Sequence, residues 1–329
     1  MRVAIIGLGC ISGVHYKAIS RTDATLVAVC DNDERKLAAF RERTADPATP
    51  YTNYKEMIEK EHPDVVHICT PHYLHAEMVL YALRAGCNVL CEKPLCIREE
   101  DIAPILQAEK ESGKKLGICL QNRYNESNRE VVRLLGGQPA RAAFGNVVWN
   151  RDASYYASGE WRGKWATEGG GVMINQALHT LDLVLWFMGT PKTVQADIAT
   201  RRLAGVIEVE DTASALFRYE DGRLFNFYAA TASGADFPVQ VMLETADRKK
   251  ITVANDLLSV NGEVVSFAQD IDHGGKHVWG DGHTALVADF YDAIENDRPF
   301  AIDGEQGAGV VRAILAMYRS KGEEVALTK

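Results

Sequence analysis

At 329 residues the chain is long enough for two cores, because a single hydrophobic core stops growing near roughly 250–300 residues. Its 47% apolar and 25% charged residues are ordinary for a soluble globular protein, and the net charge of −9 argues against non-specific binding to nucleic acid or an anionic membrane. No apolar run reaches the roughly 18 residues of a membrane span, and Met1–Ile6 passes straight into glycines without the h-region of a signal peptide.

Arg2–Gly7 reads as a short buried strand. Gly7-Leu8-Gly9-Cys10-Ile11-Ser12-Gly13 follows, then a helical pattern from Val14 to Ser20. Gly7 permits a tight turn, Gly9 lets backbone approach a pyrophosphate at the helix N-terminus, and Ser12 is small enough to keep helix and strand close. Glycine turns after strands are common, so the next element decides. Thr25–Cys30 reads as a second strand ending at Asp31, an acid able to bind both ribose hydroxyls and repel a 2′-phosphate. A dinucleotide site is therefore expected on Gly7, Gly9, Cys10, Ile11, Ser12, Asp31 and Asn32. NAD is favoured over NADP, with Arg35 the residue that speaks for a phosphate.

Asp33–Thr44 and Lys55–Lys60 read as helices, with a turn-rich connection at 45–50. Asp64–Cys69 is a buried strand leading into Thr70-Pro71-His72-Tyr73-Leu74-His75. A helix from His75 to Ala85 ends at Gly86, the residue helix ends favour. Asn88–Cys91 is the next strand, and it delivers Glu92-Lys93-Pro94. Proline stops a strand, so Lys93 falls at the carboxyl end, where open α/β sheets place their ligands. A lysine there is costly to desolvate without a partner or a task. Glu99–Ser112 reads as a helix and Lys115–Leu120 as a strand, which completes the alternation of a parallel, doubly wound sheet. All seven cysteines lie within the first 119 residues, odd in number and without a CxxC pair. They read as reduced, buried thiols of a cytoplasmic protein, and they mark a break near residue 120.

Asp64-Val65-Val66, Ile68-Cys69-Thr70-Pro71, His75, Ala85-Gly86 and Glu92-Lys93-Pro94, in that order and at those spacings, resemble the glucose–fructose oxidoreductase / inositol dehydrogenase (Gfo/Idh/MocA) family. The resemblance implies an N-terminal Rossmann domain, here 1–120, and a C-terminal α+β domain, 121–329, with a large, mainly antiparallel open sheet. It also implies that the sheet makes a homodimer or homotetramer. In the family the lysine of Glu-Lys-Pro is catalytic and contacts both nicotinamide and substrate, which points to Lys93. Thr70, Pro71, His72, His75, Glu92 and Asn122 are implied on the cofactor side, and Arg123 and Tyr124 toward the substrate.

Phe144–Asn150 reads as a strand. Tyr155, Tyr156, Trp161, Arg162 and Trp165 then crowd a polar loop, as a sugar-stacking wall, a dimer contact or packing beneath the loop. Trp161 and Arg162 are taken as substrate contacts. Gly169–Gly171 open what reads as one helix, with Asn175, His179 and Asp182 at i, i+4 and i+7 beside an apolar stripe. A lone helical histidine is more often structural. The family's order of glycines, histidine, then aspartate three later makes His179 catalytic and places Asp182 at the substrate. Many sugar and inositol dehydrogenases of the family carry aspartate four residues before the histidine. Asn175 cannot accept a proton, so the acid/base work falls to His179 and Lys93. Asparagine there resembles the branch acting on nucleotide-linked or glycosidic sugars, including UDP-N-acetylglucosaminuronate 3-dehydrogenases.

Strands are expected at 192–200, 211–219, 223–231, 238–245, 249–253 and 257–260, with hairpin turns at Asp221-Gly222 and Asn261-Gly262. Val209-Glu210-Asp211-Thr212 reads as structural. His283 reads as a cap of a helix over 284–296, and His277 as a candidate lid contact; a helix over 306–320 closes the chain. His72, His75, His179, Asp182, His273, His277 and His283 offer zinc ligands, but none forms an HExxH pair, and no metal is expected. The expected function is NAD-dependent oxidation of a sugar ring hydroxyl, with a carbohydrate as the small-molecule partner. An NAD-dependent glycosidase and a non-enzymatic NAD-binding sensor are the alternatives.

Overall fold

The computed structural model describes residues 1–327 apart from 256, 266 and 268–281. The expected lid contact His277, and His273, lie outside the described residues. The chain opens with β1 (Arg2–Ile6), α1 (Ser12–Ile19), β2 (Thr25–Cys30), α2 (Glu34–Thr44), β3 (Thr49–Tyr51), α3 (Tyr54–Glu61), β4 (Val65–Ile68), α4 (His75–Arg84), β5 (Asn88–Cys91), α5 (Ile102–Ser112) and β6 (Leu116–Ile118). The six strands pair in parallel in the order β3-β2-β1-β4-β5-β6. This is the doubly wound order, whose reversal between β1 and β4 opens a crevice at the strands' carboxyl ends. Every residue of β4, β5 and β6 is buried, as parallel strands covered on both faces require. Asp33 and Asn53 start α2 and α3 by accepting backbone N–H groups with their side chains. The stretch read as turns at 45–50 contains β3, an edge strand that tolerates Pro50.

The remaining elements are α6 (Glu126–Leu135), β7 (Ala142–Val148), α7 (Ala153–Ala157), α8 (Val172–Asn175), α9 (Leu178–Met188), β8 (Thr193–Ala199), β9 (Thr212–Arg218), β10 (Leu224–Ala230), β11 (Gln240–Glu244), β12 (Lys250–Ala254), β13 (Leu257–Val260), β14 (Glu263–Val265), α10 (Gly282–Glu295), α11 (Gly304–Ser320) and β15 (Glu324–Ala326). Nine strands form one sheet, β14-β13-β12-β11-β7-β10-β9-β8-β15, in which only β7–β10 is parallel. In β10, Phe225 and Phe227 point inward while Leu224, Asn226 and Tyr228 are exposed, the alternation of a sheet with one covered face. Gly145 on β7 is required there, because a Cβ would come within 2.9 Å of the Phe227 ring. Asn261 and Gly262 both have positive φ (54° and 91°), which suits the tight β13–β14 turn.

The chain forms two compact units. One is Met1–Gln121 with Asp281–Ala308, the other Asn122–Gly280 with Gly309–Lys329. The expected division at 120/121 thus placed α10 in the second domain, whereas it packs in the first unit. Phe290 of α10 fills the space left by Gly117, where a Cβ would lie 2.9 Å from its ring, and Ile118 N–H bonds the Ile302 carbonyl at 3.0 Å.

Candidate active site

In the first unit the glycine turn joins β1 to α1. Gly7 has φ +90°, and a Cβ there would lie 2.7 Å from the Cys69 carbonyl oxygen. At Gly9 a Cβ would meet nothing within 4 Å, so this exposed backbone is open to a ligand. Cys10 is exposed, Ile11 half-buried and Ser12 buried, its hydroxyl on the Gly9 carbonyl at 2.7 Å. Asp31 ends β2. Its Oδ2 accepts the Leu8 N–H (2.8 Å), its Oδ1 accepts the Asp33 N–H (3.0 Å), and the Lys36 ammonium lies 3.3 Å away. Asn32 beside it is exposed. Arg35 is held bidentately by Asp33, so that guanidinium already has an anion. An open glycine backbone with a braced acid one strand away fits a dinucleotide with free ribose hydroxyls.

The Thr70–Leu74 turn leaves β4 with Thr70 and Pro71 half-buried and His72 buried. His75, expected on the cofactor side, has its ring held between two backbone carbonyls. It is fully buried, with Nδ1 2.7 Å from the Pro94 carbonyl and Nε2 2.9 Å from the Thr70 carbonyl, so it ties two loops together. Glu92 is likewise turned inward. Its Oε1 lies 3.0 Å from His15 Nε2 and 3.6 Å from His283 Nε2, and its Oε2 accepts the Lys93 N–H at 3.2 Å. His283, expected to cap α10, faces this carboxylate. His15 Nδ1 continues to His67 Nδ1 (2.8 Å), and His67 Nε2 to the Tyr291 hydroxyl (2.7 Å). Burial alone would push the Glu92 carboxyl up; the hydrogen bonds from His15 and His283 outweigh it and hold the group well below the ordinary carboxylate range. Burial, with His15 beside it, keeps His67 neutral by lowering its pKa well below the usual imidazole value. Cys119 adds a thiol 3.8 Å from His15 Nε2, and burial pushes that thiol well up. His15, Glu92 and Cys119 are the one metal-capable trio among the described residues, and the His15–Glu92 hydrogen bond already accounts for their approach. Lys93 follows directly, half-buried at the carboxyl end of β5, with a cis peptide to Pro94.

In the second unit the helix read through 172–185 is two. The α8 helix stops at Asn175 and α9 starts at Leu178, so Asn175 and His179 are not one turn apart on a continuous helix. From Glu168 to Val184 every residue is nonetheless buried except Asn175 and His179. The start of α8 is set from behind. Glu210, fully buried, accepts Gly171 N–H (2.8 Å), Met173 N–H (3.0 Å) and the Tyr318 hydroxyl (3.0 Å), and so caps α8. Gly170 and Gly171 allow this contact, since a Cβ would lie 2.0 Å from the Tyr318 oxygen or 1.8 Å from the Glu210 carbonyl. Burial lifts the Glu210 carboxyl to about 7.

Asp182 and Arg123, expected toward the substrate, pair with each other. Asp182 is 1% exposed and takes the Arg123 guanidinium bidentately, at 2.9 Å and through the shorter 2.6 Å contact, so both face each other inside the unit. Burial raises the Asp182 carboxyl, against the pull of Arg123. Asn122 and Tyr124 flank Arg123, half-buried; the Asn122 carbonyl takes the Asn128 amide (2.7 Å), and the Arg129 guanidinium covers the Tyr124 ring at 4.7 Å. The aromatic loop divides. Tyr156 packs on Leu203, Ile207 and Val209, and Trp165 sits against Tyr318 with its Nε1 on the Glu208 carbonyl. Arg162 stacks between Trp161 and Tyr155, 4.6 Å from each ring, and bonds the Tyr155 hydroxyl, which Gln176 also reaches. His15, His67, Tyr291, Glu168 and Gln176 were not foreseen. Histidines within the buried patterns of α1 and β4 were the available signal, since buried imidazoles need partners.

A model described as "Oxidoreductase family, NAD-binding Rossmann fold" matches residues 1–119, and a GFO/IDH/MocA C-terminal domain model matches 140–263. The chain belongs to the GFO/IDH/MocA oxidoreductase family. It is an NAD-binding oxidoreductase. This family member is 26% identical to the D-glucoside 3-dehydrogenase of Escherichia coli K12, over 97% of this chain and 95% of that protein. It is 23% identical to the myo-inositol 2-dehydrogenase of Thermotoga maritima, over 98% and 95%. Among solved structures, the WlbA dehydrogenase of Bordetella pertussis in complex with NADH and UDP-GlcNAcA superposes with a TM-score of 0.86 at 26% identity, covering 100% and 98% of the chains. A levoglucosan dehydrogenase with NADH and levoglucosan shares the fold, with a TM-score of 0.88 at 17% identity over 100% of both chains.

Proposed function

We propose that this protein oxidises one ring hydroxyl of a glycosidic or nucleotide-linked sugar, with Lys93 and His179 as the catalytic residues. It is an NAD-dependent dehydrogenase acting on a carbohydrate CH–OH group. The observation that carries the residue assignment is the pair Asn175 and His179, the only accessible side chains in an otherwise buried stretch. Bound NAD supplies the hydride acceptor for the carbinol carbon. His179 takes the hydroxyl proton as that carbon becomes a carbonyl. The Lys93 ammonium stabilises charge developing on the same oxygen, an effect worth roughly 10²–10³ in rate for such donors. Glu92 fixes the Lys93 backbone, and the Arg123–Asp182 pair fixes α9 beneath His179, so both act as supports. Gly7, Gly9, Cys10, Ile11, Ser12, Asp31, Asn32, Thr70, Pro71, His72 and Asn122 hold the dinucleotide. Trp161, Arg162 and Tyr124 take the more distant part of the substrate. The sugar class rests on Asn175 and on relatives named for UDP-GlcNAcA and D-glucosides.

The open face of the nine-stranded sheet, with Leu224, Tyr228 and Met242 exposed, supports a homo-oligomer built on it. Seven free cysteines support a cytoplasmic location. No helix among the described residues is long and apolar enough to cross a membrane. A panel of free, glycosidic and nucleotide-linked sugars followed by NADH absorbance tests the reading. Lys93→Ala should lower turnover by about 10²–10³ while NAD still binds, and retained turnover would sink the assignment.

A further inference from the structure

Glu168 has no part in the chemistry above, yet it lies against Asn175. It is 0% exposed, and ionisable side chains are rarely so buried without partners. One carboxylate oxygen accepts the Gly163 N–H and the other accepts from Asn175 Nδ2. Gly163 is pinned: its carbonyl takes the Glu208 N–H at 2.7 Å, and a Cβ at this φ +73° position would strike Ile207 at 2.7 Å. The Glu168 backbone is held in turn by the Lys164 carbonyl at 2.9 Å. The carboxylate therefore presents a fixed acceptor to the half-buried asparagine.

A carboxylate only accepts, whereas an amide has two unlike ends. Facing Glu168, the Asn175 amide must turn its NH₂ inward, which directs Oδ1 to the other side. We propose that Glu168 is a positioning residue, locking the Asn175 amide so that its oxygen is the acceptor offered to a sugar hydroxyl or amide N–H. The inference rests on the reading that Asn175 faces the sugar. It makes Asn175 an acceptor without a charge of its own, oriented by Glu168.

The alternative is a staple that only ties the 159–168 loop to α8. A charge-swap cycle separates the two, with UDP-GlcNAcA, methyl β-D-glucoside and myo-inositol as probes. Glu168→Gln should raise KM about tenfold, the size of one lost charged hydrogen bond, with a smaller change in kcat. Asn175→Asp should be worse, because two carboxylates then face each other, and its KM should climb as pH rises. The double variant, in which the introduced glutamine amide can donate to the introduced aspartate, should recover most of the Asn175→Asp loss. A staple would recover stability in the same way, so the readout that separates the two is the KM-against-kcat split: a displaced loop lowers kcat along with raising KM, whereas a misaligned acceptor raises KM with little change in kcat. An unchanged KM in Glu168→Gln, or additive losses in the double variant, overturns the proposal while wild-type turnover leaves the sugar reading intact. Melting temperatures of the same four proteins give a readout without substrate: Asn175→Asp should lose stability as pH rises from 5 to 8, and Glu168→Gln should restore it. No turnover on any probe counts against the sugar reading and the positioning role together, whatever the melting cycle shows of the contact itself.

Discussion

Each unit buries a glutamate among three donor groups, and the two differ in charge at neutral pH: one is an anion, the other is near the midpoint of its titration. In the first unit Glu92 faces two imidazoles and one backbone N–H; its carboxyl is held well below the ordinary range. In the second unit Glu210 faces two backbone N–H groups and a phenol; its carboxyl rises to about 7. Burial is nearly equal, 7% and 2% exposed. The number of donors does not decide the charge. Donors that can themselves carry charge hold the anion, whereas neutral dipoles only partly offset its desolvation. The anion sits next to Lys93, where charge is useful, and the near-neutral acid sits behind α8, where only a cap is needed.

The strongest way to break this contrast is His15→Leu. It removes the nearest donor and leaves a buried carboxylate, a change that costs about 3–5 kcal/mol on the scale of broken buried pairs. The sign of the pH response should also reverse. In the wild type Glu92 contributes stability above its unfolded value of 4.5, lost as pH falls below it. Without His15 the folded carboxyl should sit above 4.5, so stability should fall as pH rises, as it does for Glu210. Melting curves from pH 4 to 8 report both. A variant as stable as the wild type, with the same pH slope, would show that His15 does not hold the anion.

Glu210→Gln sharpens the other side. The wild-type carboxyl is raised from 4.5 to about 7 in the fold. Glu210 therefore lowers stability progressively as pH rises from about 4.5 to about 7, and the loss levels off above that. Glutamine removes the titration and one acceptor, at about 1–3 kcal/mol for the donor left unmatched. The deficit of the variant should thus be largest near pH 5 and shrink by pH 8. A deficit that is constant with pH would mean that Glu210 is ionised throughout.

These acids were legible in unequal measure. The parallel sheet could be read because its strands are unbroken apolar runs, and Asp31, Lys93 and Glu92 stand at strand ends, where a polar residue is conspicuous. The second sheet could be read from period-two alternation and the Asn261-Gly262 turn. The break between α8 and α9 could not: Gln176 and Ala177 are good helix formers, and the apolar spacing runs on through them. Nor could the buried cap at the start of α8, which comes from 210 with 318 behind it, far along the chain. The His15–Glu92 contact was hidden for the same reason, its partners lying 77 positions apart. So was the placing of α10, since an amphipathic helix does not state which of two cores it covers.

The finest test concerns the phenol that completes the Glu210 cap. Tyr318 donates to Glu210 Oε1 at 3.0 Å, and burial together with that carboxylate pushes its own titration well above the usual phenol range. It therefore keeps its proton as Glu210 ionises and donates to the anion. Tyr318→Phe removes one of three donors without opening the backbone cap, a loss of about 0.5–1.5 kcal/mol for a neutral hydrogen bond. Because the hydroxyl favours the ionised acid, its loss should move the Glu210 carboxyl above 7, and the pH-linked fall in stability should extend further toward pH 8. A uniform drop with an unmoved pH profile would assign the hydroxyl to packing alone, against Gly170, where no Cβ could fit beside it. A moved profile would show that even a neutral donor helps to set the charge of a buried acid, by less than the imidazoles do at Glu92.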